Sequence, residues 1–350
     1  MLADLPNQEC SRCYLLESKT STFTLRKYSL ATYGRHWPSV CATKTDGTVD
    51  EVNMAYLDIR FSNLCNFSCR TCGHSLSSSW YNDQLALYGD PGHEPTIRLN
   101  QSGLLSEKLR PHLLNVEAAY FAGGEPMLCD EIFEILDYWL EHDHTDIGIT
   151  YNTNFSLLNK AEKNIIDYWK SFPRSRVSAS LDASGSRAEF LRKGTKWEKI
   201  VQNRILMKKE CPSVYFEITP TISLYNVWHF PDFHKEWIKA GLVEPNALRV
   251  NILTAPSDMS IQVLPAEAKQ EVERKYRKTL ADILASAGDG ETQNLISGYS
   301  SVIEFMNDKD DSDLIMQFLS RTKLVDKRRE EQVFTSFPEL ESLLRWKKEN

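Results

Sequence analysis

The chain has 350 residues, 41% hydrophobic and 25% charged, with a formal net charge of −7. That is an ordinary globular balance, long enough for one large α/β domain and a smaller appendage. The acidic balance disfavours a broad nucleic-acid-binding surface. No stretch approaches 18 uncharged apolar residues, and the opening MLADLPNQECSRC lacks the basic and apolar regions of a signal peptide, so the expectation is a cytoplasmic chain with no membrane association.

In chain order, residues 1–50 carry Cys10 and Cys13 as a CxxC pair but show no sustained periodicity, which reads as an irregular N-terminal extension. Tyr56 to Phe61 is a β-branched and aromatic run of strand length, and Asn63 begins the polar segment that ends it. Directly after it comes CxxxCxxC: Cys65, Cys69 and Cys72. Ser77 to Leu87 has helical composition and is broken by Gly89, Asp90, Pro91 and Gly92. A short helix over Leu104 to Leu114 is also predicted.

An alternation then sets in. Strands are predicted over Val116–Phe121, Ile147–Asn152, Val177–Asp182, Val214–Thr219 and Ala247–Ile252. Helices are predicted over Asp130–Glu141, Lys160–Ser171, Trp197–Lys208 and Asn226–Ala240. With the first strand that makes six strands separated by helical or irregular segments, which implies parallel pairing and right-handed crossovers. The fold class expected is α/β: a partial (βα)6 barrel over 51–255, followed by a helical C-terminal region over 256–350. In that region Ala266–Ala285 forms an amphipathic helix closed by Gly288, Asp289 and Gly290, and Phe337-Pro338-Glu339-Leu340 opens a last helix.

In a parallel barrel the site lies at the carboxyl ends of the strands, and all six predicted strands finish in polar or glycine residues. The first ends at the cysteine loop and the second at Gly123, Gly124, Glu125 and Pro126. Asn152 and Asn154 follow the third, Ser180 and Asp182 the fourth, Thr219 and Thr221 the fifth, and Asn251 and Thr254 the sixth. His74, Tyr151, Tyr225 and Trp228 are further pocket candidates.

The eight cysteines are grouped for metal binding in a reducing compartment rather than for a disulfide scaffold. The single residues Cys41, Cys129 and Cys211 read as buried thiols. Three thiolates on one loop suit an iron-sulfur cube with one iron left open, since such a cube otherwise takes four protein ligands. Spacing alone also allows a structural Cys3His zinc site that adds His74.

CxxxCxxC after the first strand and GGEP after the second resemble the radical SAM superfamily, and NLCNFSCRTCGHSLSSSW is similar to its branch related to the SPASM and twitch-domain proteins. The resemblance spans residues 55 to 255. It implies an enzyme in which Cys65, Cys69 and Cys72 ligate a 4Fe-4S cluster whose fourth iron chelates S-adenosylmethionine. Gly123, Gly124, Glu125 and Pro126 would then contact the methionine amino group. Ser180 and Asp182 would reach the ribose, Asn152, Asn154 and Thr219 would line the same mouth, and Arg192 would pair with the methionine carboxylate. Reductive cleavage would yield a 5′-deoxyadenosyl radical that takes hydrogen from a peptide or small-molecule substrate. The electron would come from a partner such as flavodoxin or ferredoxin. Thr71 departs from the family, which places an apolar residue there against the adenine. Cys10 and Cys13 are candidate ligands of a second iron-sulfur cluster, although the carboxyl-terminal ligands usual in SPASM and twitch relatives are missing from this sequence.

Overall fold

The computed structural model describes residues 7–11, 13, 14, 17, 25–99, 108–286 and 290–344. The chain divides into two compact units, Met1–Asn53 and Met54–Asn350. Among its described residues the first unit has short helices at Gln8–Cys10, Leu25–Tyr33, Gly34–His36 and Trp37–Cys41. Asn7 starts the first of these by accepting a hydrogen bond from the Glu9 amide at 2.9 Å, as N-cap side chains do. No described residue of this unit is buried. Cys41, expected to be a buried thiol, is exposed, whereas Cys129 and Cys211 are buried in the second unit. A helix without a core beneath it has nowhere to hide a small hydrophobe.

The second unit is built on a five-stranded sheet of β1 (Tyr56–Ile59), β2 (Ala118–Phe121), β3 (Gly148–Thr153), β4 (Ser175–Ala179) and β5 (Tyr215–Ile218), in that order and parallel throughout. The register places Ile59, Phe121, Tyr151, Val177 and Phe216 in one row across the sheet, and all five are buried. Burial alternates along β1, β2 and β3, so the opposite face, with Asp58, Tyr120 and Thr150, is exposed or half-buried. Beyond β5, Thr219 and Pro220 interrupt the strand, after which β6 (Thr221–Ile222) pairs in parallel with β7 (Asn251–Ile252). The amide-to-carbonyl ladder nevertheless runs on from Ile218–Ala247 to Leu253–Ile222. The sixth expected strand is therefore present at the edge of the sheet, and the barrel is open between it and β1.

The crossover helices are α1 (Asp130–Glu141), α2 (Ile165–Ser171), α3 (Gly185–Leu191), α4 (Trp197–Glu210) and α5 (Phe230–Lys239). In α1 the residues Ile132, Phe133, Ile135, Leu136 and Trp139 are buried, the i, i+3, i+4, i+7 stripe that turns one face to the sheet. Helix α2 starts five residues later than its composition predicts. Asn159–Lys160 and Lys163–Asn164 form a small antiparallel pair instead, turning at Ala161 with φ of 51°. Asn164 then caps the helix by accepting from the Ile166 amide.

The C-terminal region supplies α6 (Ala266–Ser286), α7 (Gln293–Asp308) and α8 (Ile315–Arg329), then a short helix at Glu339–Leu343. Gly288 and Asp289 of the expected closure of α6 and residues 104–107 of the expected 104–114 helix fall outside the described residues; the described remainder of the latter is helical over Arg110–Leu113. No helix among the described residues is long and apolar enough to cross a membrane.

Candidate active site at the barrel mouth

The cysteine loop is held by backbone contacts from three directions. Two residues, Ser68–Cys69, pair antiparallel with Arg192–Lys193, and the Arg70 amide donates to the Leu191 carbonyl at 2.7 Å. The Gly124 amide donates to Ser62 O at 3.0 Å and the Glu125 amide to Leu64 O at 2.7 Å. A Cβ on Gly124 would stand 2.3 Å from the Leu64 carbonyl oxygen, and one on Gly123, whose φ is +125°, would stand 2.7 Å from that of Ser62. These glycines are thus needed for the chain's own loop to lie against the end of β2. Gly194 does the same on the other side: its φ is +109°, and an added Cβ would meet Asn66 O at 2.7 Å.

The third direction is the segment Ser77–Trp80, which carries no obvious chemistry in the sequence. Ser77 Oγ donates to Phe67 O at 2.6 Å, the Cys65 amide donates to Ser78 Oγ at 3.1 Å, and Ser79 Oγ donates to Cys65 O at 2.7 Å. The Trp80 indole N–H donates to the Cys69 carbonyl. Four successive side chains therefore satisfy loop backbone beyond the two-residue pairing of Ser68–Cys69 with Arg192–Lys193. The readable signal was three hydroxyl residues in a row, since serine bonds to nearby backbone more readily than it extends a helix.

Of the three thiols, Cys69 is buried and Cys65 and Cys72 are half-buried. Burial pushes the Cys69 thiol up to about 12, with the Arg192 guanidinium pulling the other way, and burial also raises Cys65 and Cys72. The Phe67 amide donates to Cys65 Sγ at 3.4 Å, and Arg192 Nη1 lies 3.7 Å from Cys69 Sγ. Arg192 is clamped by Asp182 through Nε at 2.8 Å and Nη2 at 3.0 Å, a fork-to-fork pair of the strong kind. Burial works against the charge on Arg192, and Asp182 and Cys69 outweigh it, so the guanidinium stays above its ordinary value.

The remaining sequence candidates divide into two groups. Glu125 is fully buried: its carboxylate accepts from Thr153 Oγ1 at 2.6 Å, the Asn154 amide at 2.7 Å and the Met127 amide at 3.2 Å. Burial raises its pKa and those three bonds oppose the rise. Asp182 is taken up by Arg192 and by the Thr221 amide at 2.8 Å. Asn154 Nδ2 reaches Asn66 Oδ1 on the cysteine loop at 2.8 Å, and Pro126 is buried at the start of a short turn of helix. These side chains join strand ends to the loop.

Others keep capacity to spare. Ser180 Oγ and Asn152 Oδ1 meet only at 3.5 Å, a weak bond. The Thr219 hydroxyl is buried with no hydrogen-bond partner among the described residues, and so is that of Thr195. Thr71 is half-buried. Tyr151 packs between Phe121 and Trp169 in the core, and Trp228 lies against Lys275.

The donor set can be tested against the metal readings. His74 Nδ1 meets His93 Nε2 at 2.8 Å, with the two rings stacked, which leaves His74 Nε2 outside that contact. Among the described residues no three His, Cys, Asp or Glu side chains converge as ligands of one ion. A closed zinc site gathers its ligands about one centre at roughly 2.0–2.3 Å. A cube instead assigns one thiolate to each iron.

No family model and no curated protein matches the chain. Solved structures give weak likenesses. "Native anSMEcpe with bound AdoMet and Kp18Cys peptide" has a TM-score of 0.47 at 17% identity, over 66% of this chain and 62% of that one. The Streptococcus suis SuiB structure bound to S-adenosylmethionine has a TM-score of 0.46 at 14% identity, over 80% and 57%. SuiB bound to its precursor peptide SuiA has a TM-score of 0.40 at 14% identity, over 95% and 62%. The chain thus spans about three fifths of the length of these structures.

Proposed function

We propose that this chain is a radical SAM enzyme in which Cys65, Cys69 and Cys72 hold a 4Fe-4S cluster and the surrounding strand ends hold S-adenosylmethionine. The observation that carries the reading is a CxxxCxxC loop zipped to the GGE segment of the second strand and to Arg192 of the fourth βα unit. The bound pair would supply a 5′-deoxyadenosyl radical able to abstract hydrogen from a substrate.

The protein's own residues have distinct tasks in this scheme. Gly123, Gly124 and Gly194 bring backbone against the loop, while Glu125, Asn154 and the serines fix its shape, which sets where three irons can be held. Arg192 places a permanent positive charge beside one ligand sulfur, stabilising negative charge on the centre. Its clamp with Asp182 removes both side chains from easy contact with the methionine carboxylate or the ribose. Asn152, Ser180 and Thr219 then remain as the groups with hydrogen-bonding capacity for S-adenosylmethionine. The buried Thr219 hydroxyl, like any unpaired buried polar group, gains from a ligand that satisfies it.

The substrate in this proposal is a peptide or small molecule, the electron donor is an external flavodoxin or ferredoxin, and the compartment is the cytoplasm. A SPASM- or twitch-related origin is part of the same proposal, whereas a second cluster at Cys10 and Cys13, which would need four ligands, is not.

Anaerobic reconstitution tests the core of it. The expected result is about four irons per chain with S-adenosylmethionine cleaved to 5′-deoxyadenosine under reduction. Zinc retention without iron would sink the reading, and iron without cleavage would turn it into a binding protein.

A further inference from the structure

A cavity of about 170 Å³ lies next to Cys72, and its lining includes Arg70, Cys72, Tyr88, Tyr225, Arg321 and Val325. Arg70 and Cys72 follow β1, Tyr225 follows β6, and Arg321 and Val325 belong to α8. The cavity therefore occupies the open side of the partial barrel, between segments leaving its two edges, and α8 closes it. An engineered cavity of about 150 Å³ holds benzene, so this one accepts a group of roughly six non-hydrogen atoms rather than a nucleotide or a sugar.

The character of the lining is specific. It contains two arginines and two tyrosines but no Asp or Glu. The carboxylates that steady the arginines stand outside the lining. Asp326 and Glu331 take Arg70 Nη2, and Asp258, wholly buried, takes Arg321 Nε at 2.7 Å. Arg70 is 2% exposed, and its Nε and Nη1 have no hydrogen-bond partner among the described residues. Tyr88 stands against Arg321. The rest of the wall is apolar at Trp80, Pro256, Met259 and Val325 and carries one uncharged polar side chain, Gln84.

We propose that this cavity binds a carboxylate-bearing group, with Arg321 as its ionic partner and its apolar stem against Val325 and Met259. That the group belongs to the molecule undergoing the radical reaction rests on the function proposed above; the binding itself does not. A carboxylate fits better than a phosphate because Arg70 already faces two carboxylates and Arg321 one. What remains is the guanidinium N–H groups, the Tyr88 hydroxyl and the uncharged Gln84 amide. The Tyr225 hydroxyl is already paired with Thr322 Oγ1 at 2.7 Å. A planar guanidinium among these donors holds one carboxylate charge well.

Isobutyrate, six non-hydrogen atoms including its carboxylate, is the probe, with isobutyramide and inorganic phosphate as controls. Each is titrated into the full chain by calorimetry, in metal-free and in iron-loaded protein. The expected result is saturable isobutyrate binding at least tenfold tighter than isobutyramide and tighter than phosphate. Two variants should weaken it at least tenfold: Arg321→Gln combined with Asp258→Asn, which avoids leaving a buried carboxylate unpaired, and Val325→Phe, which fills the space from α8. If the first variant fails to fold, the second decides.

Equal binding of the amide, tighter binding of phosphate, or unchanged isobutyrate affinity in folded variants would overturn the proposal. So would a parallel loss of S-adenosylmethionine affinity, because the carboxylate held there would then be the cofactor's. Isobutyrate binding by a protein that neither retains iron nor cleaves S-adenosylmethionine would leave the carboxylate site standing and remove only its link to a radical reaction.

Discussion

Two regions of this chain carry cysteines at metal-binding spacing, and they differ in almost everything else. Cys10 and Cys13 lie in a unit whose described residues include no buried side chain. Cys65, Cys69 and Cys72 lie on a loop whose backbone is met by the second strand, by the Arg192–Lys193 pair and by four successive side chains from Ser77 to Trp80. Spacing names the donors. A site also needs a loop that cannot collapse or rearrange when the metal is absent, and that requires bonds from elsewhere in the fold.

The sharpest way to break the comparison is to count iron. Cys69→Ala is expected to abolish iron retention after anaerobic reconstitution, while Cys10→Ala with Cys13→Ala leaves iron per chain unchanged. A fall of about half in the double variant, measured by colorimetric iron assay, would show a second cluster and erase the contrast.

Next in size is Trp80→Ala. It deletes a buried indole that bonds the Cys69 carbonyl and carries the Arg329 guanidinium 4.7 Å over its ring, at an expected cost of about 3–5 kcal/mol. Urea unfolding would measure it, and an effect below about 1 kcal/mol would show that the loop does not depend on this brace.

Gly124→Ala comes third, because its Cβ meets backbone rather than a flexible side chain. The loop must shift, at about 1–3 kcal/mol, and iron loading should fall by more than the stability loss alone would give. Gly47, in the first unit, also has a positive φ but open space around it. Gly47→Ala should therefore cost only its backbone strain and leave iron content unaltered. Smallest is Ser77→Ala, which leaves the Phe67 carbonyl without its 2.6 Å donor for about 1 kcal/mol. A thermal melt should resolve it, and a stabilising result would contradict the bracing role.

The same contrast separates what was legible in the sequence from what was not. The strands were legible as short β-branched or aromatic runs bounded by polar residues, and α1 was legible to the residue because its stripe is regular and its ends are polar. The cysteine loop was legible from spacing. Much of the site's internal wiring was hidden: Asp182 and Arg192 pair with each other, and no periodicity encodes a pairing across a barrel mouth. The late start of α2 could have been read from Asn164, a good N-cap two residues before Ile166. The exposure of Cys41 could not, since a lone thiol says nothing about whether a core lies beneath it.

Least legible was α8. Arg70 of the cysteine loop reaches Asp326 and Glu331, and Arg329 and Arg328 of α8 reach back to Asp83. Arg70 and Glu331 are 261 positions apart. At translation rates of about 5–20 residues per second, roughly 13 to 50 s separate the synthesis of the two ends of that bond. Throughout that interval the nascent cysteine loop lacks the carboxylates that pair with Arg70 in the finished protein. Emergence of Glu331 from the ribosome is the earliest moment at which the loop can take its final form. The final form of the loop is therefore coupled to a segment synthesised 261 positions later.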